Sequence, residues 1–257
     1  MSIAGNAIVS PQARVPDSCQ IGPFCVIGPD VELGEDCLLE SHVVIHGPTR
    51  IGARNHFFPF STIGVAPQDL SYKGEPTRLE MGDDNTVREF CSLHRGTVKG
   101  GGVTRIGSHN LIMAYCHIAH DCIVGDHVIM ANCATLGGHV TVEDYASVGA
   151  FSPVHQFVRV GRYAYLGGGT ITTQDVLPFS KTSADRENHA YGVNKIGLER
   201  QGFSSERIRA LHRAFRLLLN SGLNTTQALE QITAGEMSED VEELVEFIRS
   251  SERGFIK

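Results

Sequence analysis

Aliphatic residues recur at every sixth position along much of the chain. Between residues 3 and 63, 81 and 93, and 106 and 172, twenty-six blocks of six residues each open with an apolar residue, except at Thr172. A period of six fits neither an amphipathic helix, with about 3.6 residues per turn, nor a strand that alternates every second residue. The pattern therefore predicts a solenoid in which the opening side chains point into one continuous core.

Glycine often follows the opening residue, and a small residue often takes the fifth place, as in IGPFCV at 21–26 and VGDHVI at 124–129. These blocks resemble the hexapeptide repeat of the left-handed parallel β-helix, over roughly residues 3–177. The resemblance implies a triangular prism with three blocks to a coil and coils about 4.8 Å apart. The composition agrees, since 28 glycines and no tryptophan suit tight corners around a narrow aliphatic core.

Two segments interrupt the sixfold pattern and are predicted to be loops, at 65–80 and 97–104. In the first, Asp69 and Glu75 stand where inward aliphatic residues would be. The phase is nevertheless kept, and we interpret the span from Ile63 to Met81 as one full coil. The second loop shifts the phase by one residue. Loops of a solenoid commonly carry binding residues, and surface decoration is the alternative for each.

Helical periodicity replaces the sixfold pattern after residue 178. Residues 179–202 are predicted to be a polar connector. A first helix is predicted after Ser204, ending near Gly222, a second around residues 228–232, and a third capped by Ser238. The chain is thus divided into a β-helix at 1–178 and a connector with a small helical domain at 179–257. That domain is expected to pack on the last coils or on a neighbouring subunit.

The positions of the cysteines, apolar residues and basic residues argue against a disulfide-bonded, a membrane-spanning and a nucleic-acid-binding protein. Six of the seven cysteines occupy the fifth place of a block and the seventh, Cys133, the fourth, so they are predicted to be small buried or half-buried fillers rather than disulfides or metal ligands. No apolar run approaches the ~18 residues of a membrane span and no signal pattern opens the chain, which predicts a soluble, cytoplasmic protein without membrane insertion. No basic stripe with interleaved aromatics predicts nucleic-acid binding.

Three blocks of six make a coil of 18 residues, so residues 18 apart in the sequence are predicted to lie on the same edge of the prism, and several histidines follow this spacing. His120 and Gly138, and Gly138 and Gln156, are each separated by one coil. His120, the Gly138–His139 pair and the His155–Gln156 pair are therefore predicted to stack on successive coils. None occupies an inward position, so their side chains are predicted to line an outer groove, where Gly138 exposes its backbone N–H.

Several motifs carry a more specific resemblance. They are HIAHDC at 117–122, LGGHV at 136–140, VHQF at 154–157, LHRGT at 93–97, QDLSYKGEPTR at 68–78 and GVNKIGLERQGF at 192–203. Together they resemble the UDP-N-acetylglucosamine acyltransferases, almost end to end. The resemblance implies transfer of a 3-hydroxyacyl group from acyl carrier protein to the 3-hydroxyl of UDP-N-acetylglucosamine, the first step of lipid A synthesis. It also implies a homotrimer that needs no metal or cofactor.

The same resemblance assigns roles to individual residues. His120 would be the general base, Asp121 its orienting partner, and the Gly138 N–H the oxyanion donor. The remaining binding residues would be Gln68, Asp69, His117 and His139 for the sugar, Gln156, Asn194 and Arg200 for the nucleotide and phosphates, His155 on the nucleotide and acyl side, and Lys73 and His94 elsewhere in the cleft. Gly168 would leave the end of the acyl groove open for a longer acyl chain. The bulky Tyr165 nearby would shorten the groove again.

The chain departs from the family pattern at three places. Ser71 replaces a frequent Lys, Ile196 a frequent Glu, and Gln201 an Arg that usually follows Arg200. The first two put the phosphate and uridine contacts in doubt and leave room for an altered sugar with a 3-amine. The net charge is −7, but five arginines at the start of the helical domain offer a local basic patch for an acidic carrier protein. They are Arg200, Arg207, Arg209, Arg213 and Arg216.

Three alternatives remain on the sequence. A zinc hydro-lyase of the carbonic anhydrase type could use His117 and His120 as ligands, but needs a third histidine. Another hexapeptide acyltransferase could use coenzyme A or acylate the glucosamine nitrogen later in the pathway. A purely structural solenoid would explain the repeat, but not the row of histidines.

Overall fold

Short strands separated by tight corners make up most of the chain. The computed structural model describes residues 2–184 and 188–257. In chain order the first thirteen strands are β1 (Ser2–Ile3), β2 (Ile8–Val9), β3 (Gln20–Ile21), β4 (Val26–Ile27), β5 (Val31–Leu33), β6 (Leu38–Leu39), β7 (Val44–Ile45), β8 (Thr49–Ile51), β9 (His56–Phe57), β10 (Thr62–Val65), β11 (Arg78–Met81), β12 (Thr86–Val87) and β13 (Ser92–His94). A 3₁₀ turn at Val98–Gly100 then precedes β14 (Val103–Ile106), β15 (Leu111–Ile112), β16 (His117–Ile118), β17 (Ile123–Val124), β18 (Ile129–Met130), β19 (Thr135–Leu136), β20 (Thr141–Val142), β21 (Ser147–Val148), β22 (Pro153–Val154), β23 (Arg159–Val160), β24 (Tyr165–Leu166), β25 (Ser180–Ala184) and β26 (Asn188–Val193).

The strands form three parallel faces of a left-handed β-helix, as predicted. Face A contains every third strand from β1 and β3 through β24 and ends in β25 and β26. Face B runs from β2 to β22, and face C from β5 to β23. Most of the described inward openers from Ile21 onward are fully buried aliphatic residues. Thr172, the polar exception, is also buried, and Ile3 in the first coil is 37% exposed.

The first loop makes one coil longer, which corrects the predicted register. Ile63 pairs with Leu93, thirty residues later, while Met81 pairs with Ile51 on another face. Ile63 to Met81 is therefore one step between faces plus twelve inserted residues, not a full coil. The phase survives only because twelve is a multiple of six. The loop is also shorter than 65–80, because β10 includes Val65 and β11 begins at Arg78.

The second loop inserts seven residues, which explains the predicted phase shift of one. Leu93 pairs with Ile118, twenty-five residues later, so the coil exceeds its normal length by seven. The predicted end at residue 104 is too late, since β14 begins at Val103. Both insertions therefore lie at the corner between faces B and C, where each makes its coil longer.

Four helices follow the prism: α1 (Lys195–Arg200), α2 (Ser205–Asn220), α3 (Thr225–Thr233) and α4 (Glu239–Ser250). The three predicted helices correspond to α2, α3 and α4. The predicted polar connector at 179–202 is wrong, because it contains the antiparallel hairpin β25–β26 and helix α1. Ser238 precedes α4, but its hydroxyl makes no capping hydrogen bond.

The helices pack on the last coils of the same chain. Tyr163, Leu177 and Phe179 of the prism share a buried cluster with apolar residues of α2, α3 and α4. The C-terminal tail also returns to the prism, where Phe255 bridges to Asp175 and Ile256 is buried in the main core. Since β25 extends face A past residue 178, the division into 1–178 and 179–257 stays a proposal.

The cysteines are buried or half-buried, as predicted. Six lie in the core and Cys133 is half-buried, and all are free thiols. Burial raises the pKa of the Cys37 thiol to about 11. The thiols of Cys19, Cys37 and Cys122 donate to backbone carbonyls of neighbouring coils, so they act as neutral filling groups.

A half-buried carboxyl group of α4, that of Glu243, is expected to make the attachment of the helices sensitive to pH. Burial raises the pKa of Glu243 to about 7, and Arg162, at 3.5 Å, offsets this only in part. Glu143, Asp144 and Asp240 add to the rise.

Above pH 4.5 the unfolded chain releases this proton while the folded chain keeps it, so stability is lost as pH rises towards about 7. We expect Glu243→Gln to raise the free energy of unfolding at pH 8 by about 1–2 kcal/mol, with little change at pH 5. Urea unfolding of both proteins from pH 5 to 8 measures this. Parallel pH dependence in the two proteins would contradict the assignment.

Candidate active site

His120 and Asp121 lie at the corner between faces B and C, directly after β16. The Nδ1 atom of His120 is 2.8 Å from Oδ2 of Asp121. The Asp121 side chain is completely buried, and that of His120 is 16% exposed. An ionised carboxylate only accepts hydrogen bonds, so Nδ1 of a neutral His120 carries the proton and Nε2 keeps a free lone pair. In this arrangement Nε2 of His120 could accept a proton while the Asp121 carboxylate holds the ring in place.

Gly138 packs against the His120 ring from the next coil. A Cβ placed on Gly138 would lie 2.6 Å from Cε1 and 2.8 Å from Nε2 of His120. The neighbouring Gly137 and His139 both donate their N–H groups to bonds between coils. Within the described ranges, the Gly138 N–H donates to no protein group. The missing side chain therefore admits the imidazole and leaves one backbone donor beside it.

Three further histidines surround this pair. The His139 ring stands edge-on to His120 at 5.3 Å and stacks on Phe157. Nδ1 of His117 and the Ser92 hydroxyl are joined by a hydrogen bond of 2.7 Å. Burial and the charge of His120 lower the pKa of His117, so it is neutral near pH 7.

His94 lies behind His117 rather than on the surface. It is only 4% exposed, and its ring meets that of His117 edge-on at 4.8 Å. Burial lowers the pKa of His94 to about 4. The predicted direct contact of His94 with a substrate therefore does not fit its burial in this chain. The residue supports His117 instead.

Asp69 of the first loop accepts a hydrogen bond from the Ser71 N–H at 2.7 Å, which is the main reason why the pKa of its carboxyl is lowered. The charge of His120 lowers this pKa further, by a smaller amount. Gln68 and Lys73 are exposed in the same loop.

Arg95 fixes this loop to the prism, a role not anticipated from its motif. Its guanidinium donates to the Tyr72 hydroxyl at 2.8 Å and to the Gly47 carbonyl at 2.8 Å. A coil-to-loop contact of this kind leaves no periodic signal in the sequence.

The remaining predicted site residues lie on other parts of the prism. Gln156 lies under Gly137 on the same edge as His120, and His155 beside it is exposed. Asn194 is bonded to the Tyr163 carbonyl at 3.1 Å, on the corner between faces C and A.

Asn194 also caps helix α1 by accepting from the Gly197 N–H, so its side chain already has structural partners. Arg200, at the end of the same short helix, and Ile196 are exposed. Gly168 is exposed at the corner between faces A and B, and Tyr165 on face A is 41% exposed. One chain thus does not bring Asn194, Arg200 or Gly168 to the edge that carries His120.

One group of side chains in the described part of the chain has its potential ligand atoms within 4.8 Å of one another: His120, Asp121 and His139. His117 is not in it, so the described residues of one chain do not bring His117 and His120 together with a third ligand, as the zinc alternative would need.

In the part of the chain that the structure describes, no helix has the length and apolar character of a membrane span.

Comparisons with known proteins agree with the motifs. The family model for UDP-N-acetylglucosamine O-acyltransferase, domain 2, matches residues 175–256, and the bacterial hexapeptide transferase repeat matches 12–47 and 104–138. The acyl-[acyl-carrier-protein]–UDP-N-acetylglucosamine O-acyltransferase of Halorhodospira halophila is 49% identical over 98% of both chains. That of Syntrophobacter fumaroxidans is 47% identical over 100% of both. The solved UDP-N-acetylglucosamine O-acyltransferase of Moraxella catarrhalis is 41% identical, with a TM-score of 0.96 over 100% of both chains.

Proposed function

The chain belongs to the UDP-N-acetylglucosamine O-acyltransferase family and is an acyltransferase, and from this premise we propose its reaction. It transfers a 3-hydroxyacyl group from acyl carrier protein to the 3-hydroxyl of UDP-N-acetylglucosamine, the first step of lipid A synthesis. The observation that carries the mechanism is the His120–Asp121 pair at 2.8 Å, with Gly138 against the imidazole.

His120 serves as the base in this proposal. The sugar hydroxyl attacks the thioester carbon as its proton passes to Nε2, and Asp121 stabilises the imidazolium that forms. The carbonyl oxygen becomes negative and accepts from the Gly138 N–H. Collapse of the intermediate breaks the carbon–sulfur bond. The carrier thiolate takes the proton from Nε2, which leaves an ester, a free thiol and a neutral His120.

The sugar is held by residues that surround this pair. His139 and neutral His117 offer ring nitrogens to sugar hydroxyls, and the Asp69 carboxylate accepts from a further hydroxyl. Gln68 and Lys73 border the same space on the first loop. His94 acts only through His117.

The site is completed between subunits of a homotrimer. Two observations support this. The nucleotide residues Asn194 and Arg200 belong to the C–A side of the prism, while His120, His155 and Gln156 belong to the B–C edge. A column of exposed aromatic rings also runs along the A–B edge, towards Gly168, and such a surface suits a partner subunit. Its exposed members are Phe24, Phe60, Phe90, Tyr115 and Phe151.

The carrier protein docks on the basic surface of α2. Arg209, Arg213 and Arg216 line a groove with His212, opposite Tyr191 and Val193 of β26. Arg207 is left out of this surface, because Nε and Nη2 of its guanidinium both donate to the buried Asp240.

The acyl groove ends at Gly168. A Cβ there would meet only the Ala150 backbone, at 3.3 Å, so a side chain fits if it extends into the groove. We expect Gly168→Met to shift the preferred donor to a chain shorter by several carbons, because the side chain occupies the space of the terminal methylenes. Transfer from a panel of 3-hydroxyacyl carrier proteins measures this. An unchanged preference would show that the groove ends elsewhere.

The proposed function is tested by pairing donors and acceptors. The wild-type protein is incubated with 3-hydroxyacyl carrier proteins or the matching coenzyme A thioesters, and with UDP-N-acetylglucosamine or its 3-amino analogue. Transfer from the carrier protein to the unmodified sugar supports the proposal. Transfer only from coenzyme A, or only to the amine, would overturn it, and the second result would point to Ser71 and Ile196.

A further inference from the structure

The second loop is anchored at both ends on Asp121. Its seven inserted residues begin near Thr97 and end near Thr104, and both threonines are buried. The Thr104 hydroxyl accepts from the Asp121 backbone N–H at 2.8 Å. The Thr97 N–H donates to Oδ1 of Asp121 at 2.7 Å, and the Thr97 hydroxyl donates to Oδ2 at 2.6 Å. The loop thus holds the residue that orients His120 through its main chain and its carboxylate.

Two glycines, Gly96 and Gly100, pack directly against the Asp121 carboxylate. A Cβ on Gly100 would collide with the carboxylate carbon and both oxygens, and a Cβ on Gly96 would lie 2.7 Å from Oδ1. Neither glycine has a positive φ angle, so close approach rather than backbone freedom accounts for them. The loop backbone therefore wraps the carboxylate and keeps it from water.

Hydrogen bonds rather than a fixed cation surround this buried charge. Among the described residues, the ion pairs of Asp121 involve only His120 and, at 3.8 Å, His139. Oδ2 accepts two hydrogen bonds, one from the Thr97 hydroxyl and one from the His120 Nδ1–H. Without the threonine hydroxyl, Oδ2 would lose the group that fixes its orientation towards the histidine.

We propose that Thr97 is a positioning residue for acyl transfer, and that the inserted loop serves to hold the Asp121 carboxylate in the orientation that keeps the proton on Nδ1 of His120. This inference rests on the proposed function. Thr97 is buried, and both its N–H and its hydroxyl donate to the Asp121 carboxylate, so its effect on His120 passes through Asp121.

Thr97→Val tests the proposal, because valine keeps the shape of threonine and removes its hydroxyl. We expect kcat to fall roughly 10- to 100-fold, the range for a hydrogen bond to a charged group, with KM within about twofold. Thr97→Ser keeps the hydroxyl and should restore kcat to within about threefold. Thr86→Val, on face A, is the matched control and should behave as wild type. Thr97→Ala replaces the valine variant if that variant does not fold.

¹⁵N NMR of the histidines gives a readout that does not depend on activity. Wild-type His120 should be the tautomer with its proton on Nδ1, and Thr97→Val should show a mixture of tautomers. The proposal is wrong if the valine variant keeps the wild-type kcat and tautomer, or if serine is as defective as valine. If the wild type transfers no acyl group to the sugar, the proposed function fails, while the tautomer measurement still tests the role of the loop.

Discussion

His120→Ala is expected to lower kcat by roughly 10²–10⁴-fold, because the sugar hydroxyl then has no positioned base to take its proton. The fold should persist, since the His120 side chain lies at a corner and outside the core cluster. KM for the sugar nucleotide should change much less, because His139, His117 and the loop residues remain. Steady-state transfer assays on purified variants measure both constants.

The matched control is His127→Ala. His127 also lies at a corner, where its φ angle is positive, and it stacks between His109 and Tyr145 on the C–A edge, away from Asp121. It should keep kcat within about twofold of wild type. If His120→Ala retained a tenth or more of the wild-type kcat, another group would have to be the base.

Gly138→Ala is expected to lower kcat by roughly 10²–10³-fold through a single added methyl group. The methyl carbon would lie 2.6 Å from Cε1 of His120, well inside contact distance, so the ring must move away from Asp121 or the Gly138 backbone must shift. Either movement separates the base from the oxyanion donor. The loss should appear in kcat more than in KM, because the affected groups act in the transition state.

Gly28→Ala separates this effect from a general cost of replacing glycine in the prism. A Cβ at Gly28 meets nothing closer than 3.4 Å, and the residue lies several coils from His120. Its variant should match the wild type in both melting temperature and kcat. If Gly138→Ala melts like wild type and also keeps its kcat, the assignment of Gly138 would be contradicted.

The prism and the placement of Gly138 beside His120 could both be predicted because one regularity governs them. Inward positions repeat every six residues, so residues one coil apart must be neighbours, which places Gly138 beside His120. The same regularity gave a wrong register between Ile63 and Met81. An insertion of two blocks of six keeps the phase, so in the sequence this span has the length of an ordinary coil. Pairing between strands, which the sequence does not display, distinguishes the two.

The contacts that support the site could not be predicted in the same way. Arg95 reaches Tyr72 of the first loop, and Thr97 reaches Asp121, through contacts between loops and coils that have no fixed spacing. The burial of His94 depends on the strand that follows it in the sheet. Asn194 stands in a motif segment, but its amide serves the cap of α1, a helix too short to leave a clear periodic pattern.

The most direct test is to identify the product formed from a 3-hydroxyacyl carrier protein and UDP-N-acetylglucosamine, by mass spectrometry and by NMR of the sugar ring. The account predicts one acyl group on the 3-oxygen, as an alkali-labile ester, from the wild type, and almost none from His120→Ala at equal concentration. Absence of product from every donor tested, or an acyl group on nitrogen, would contradict it.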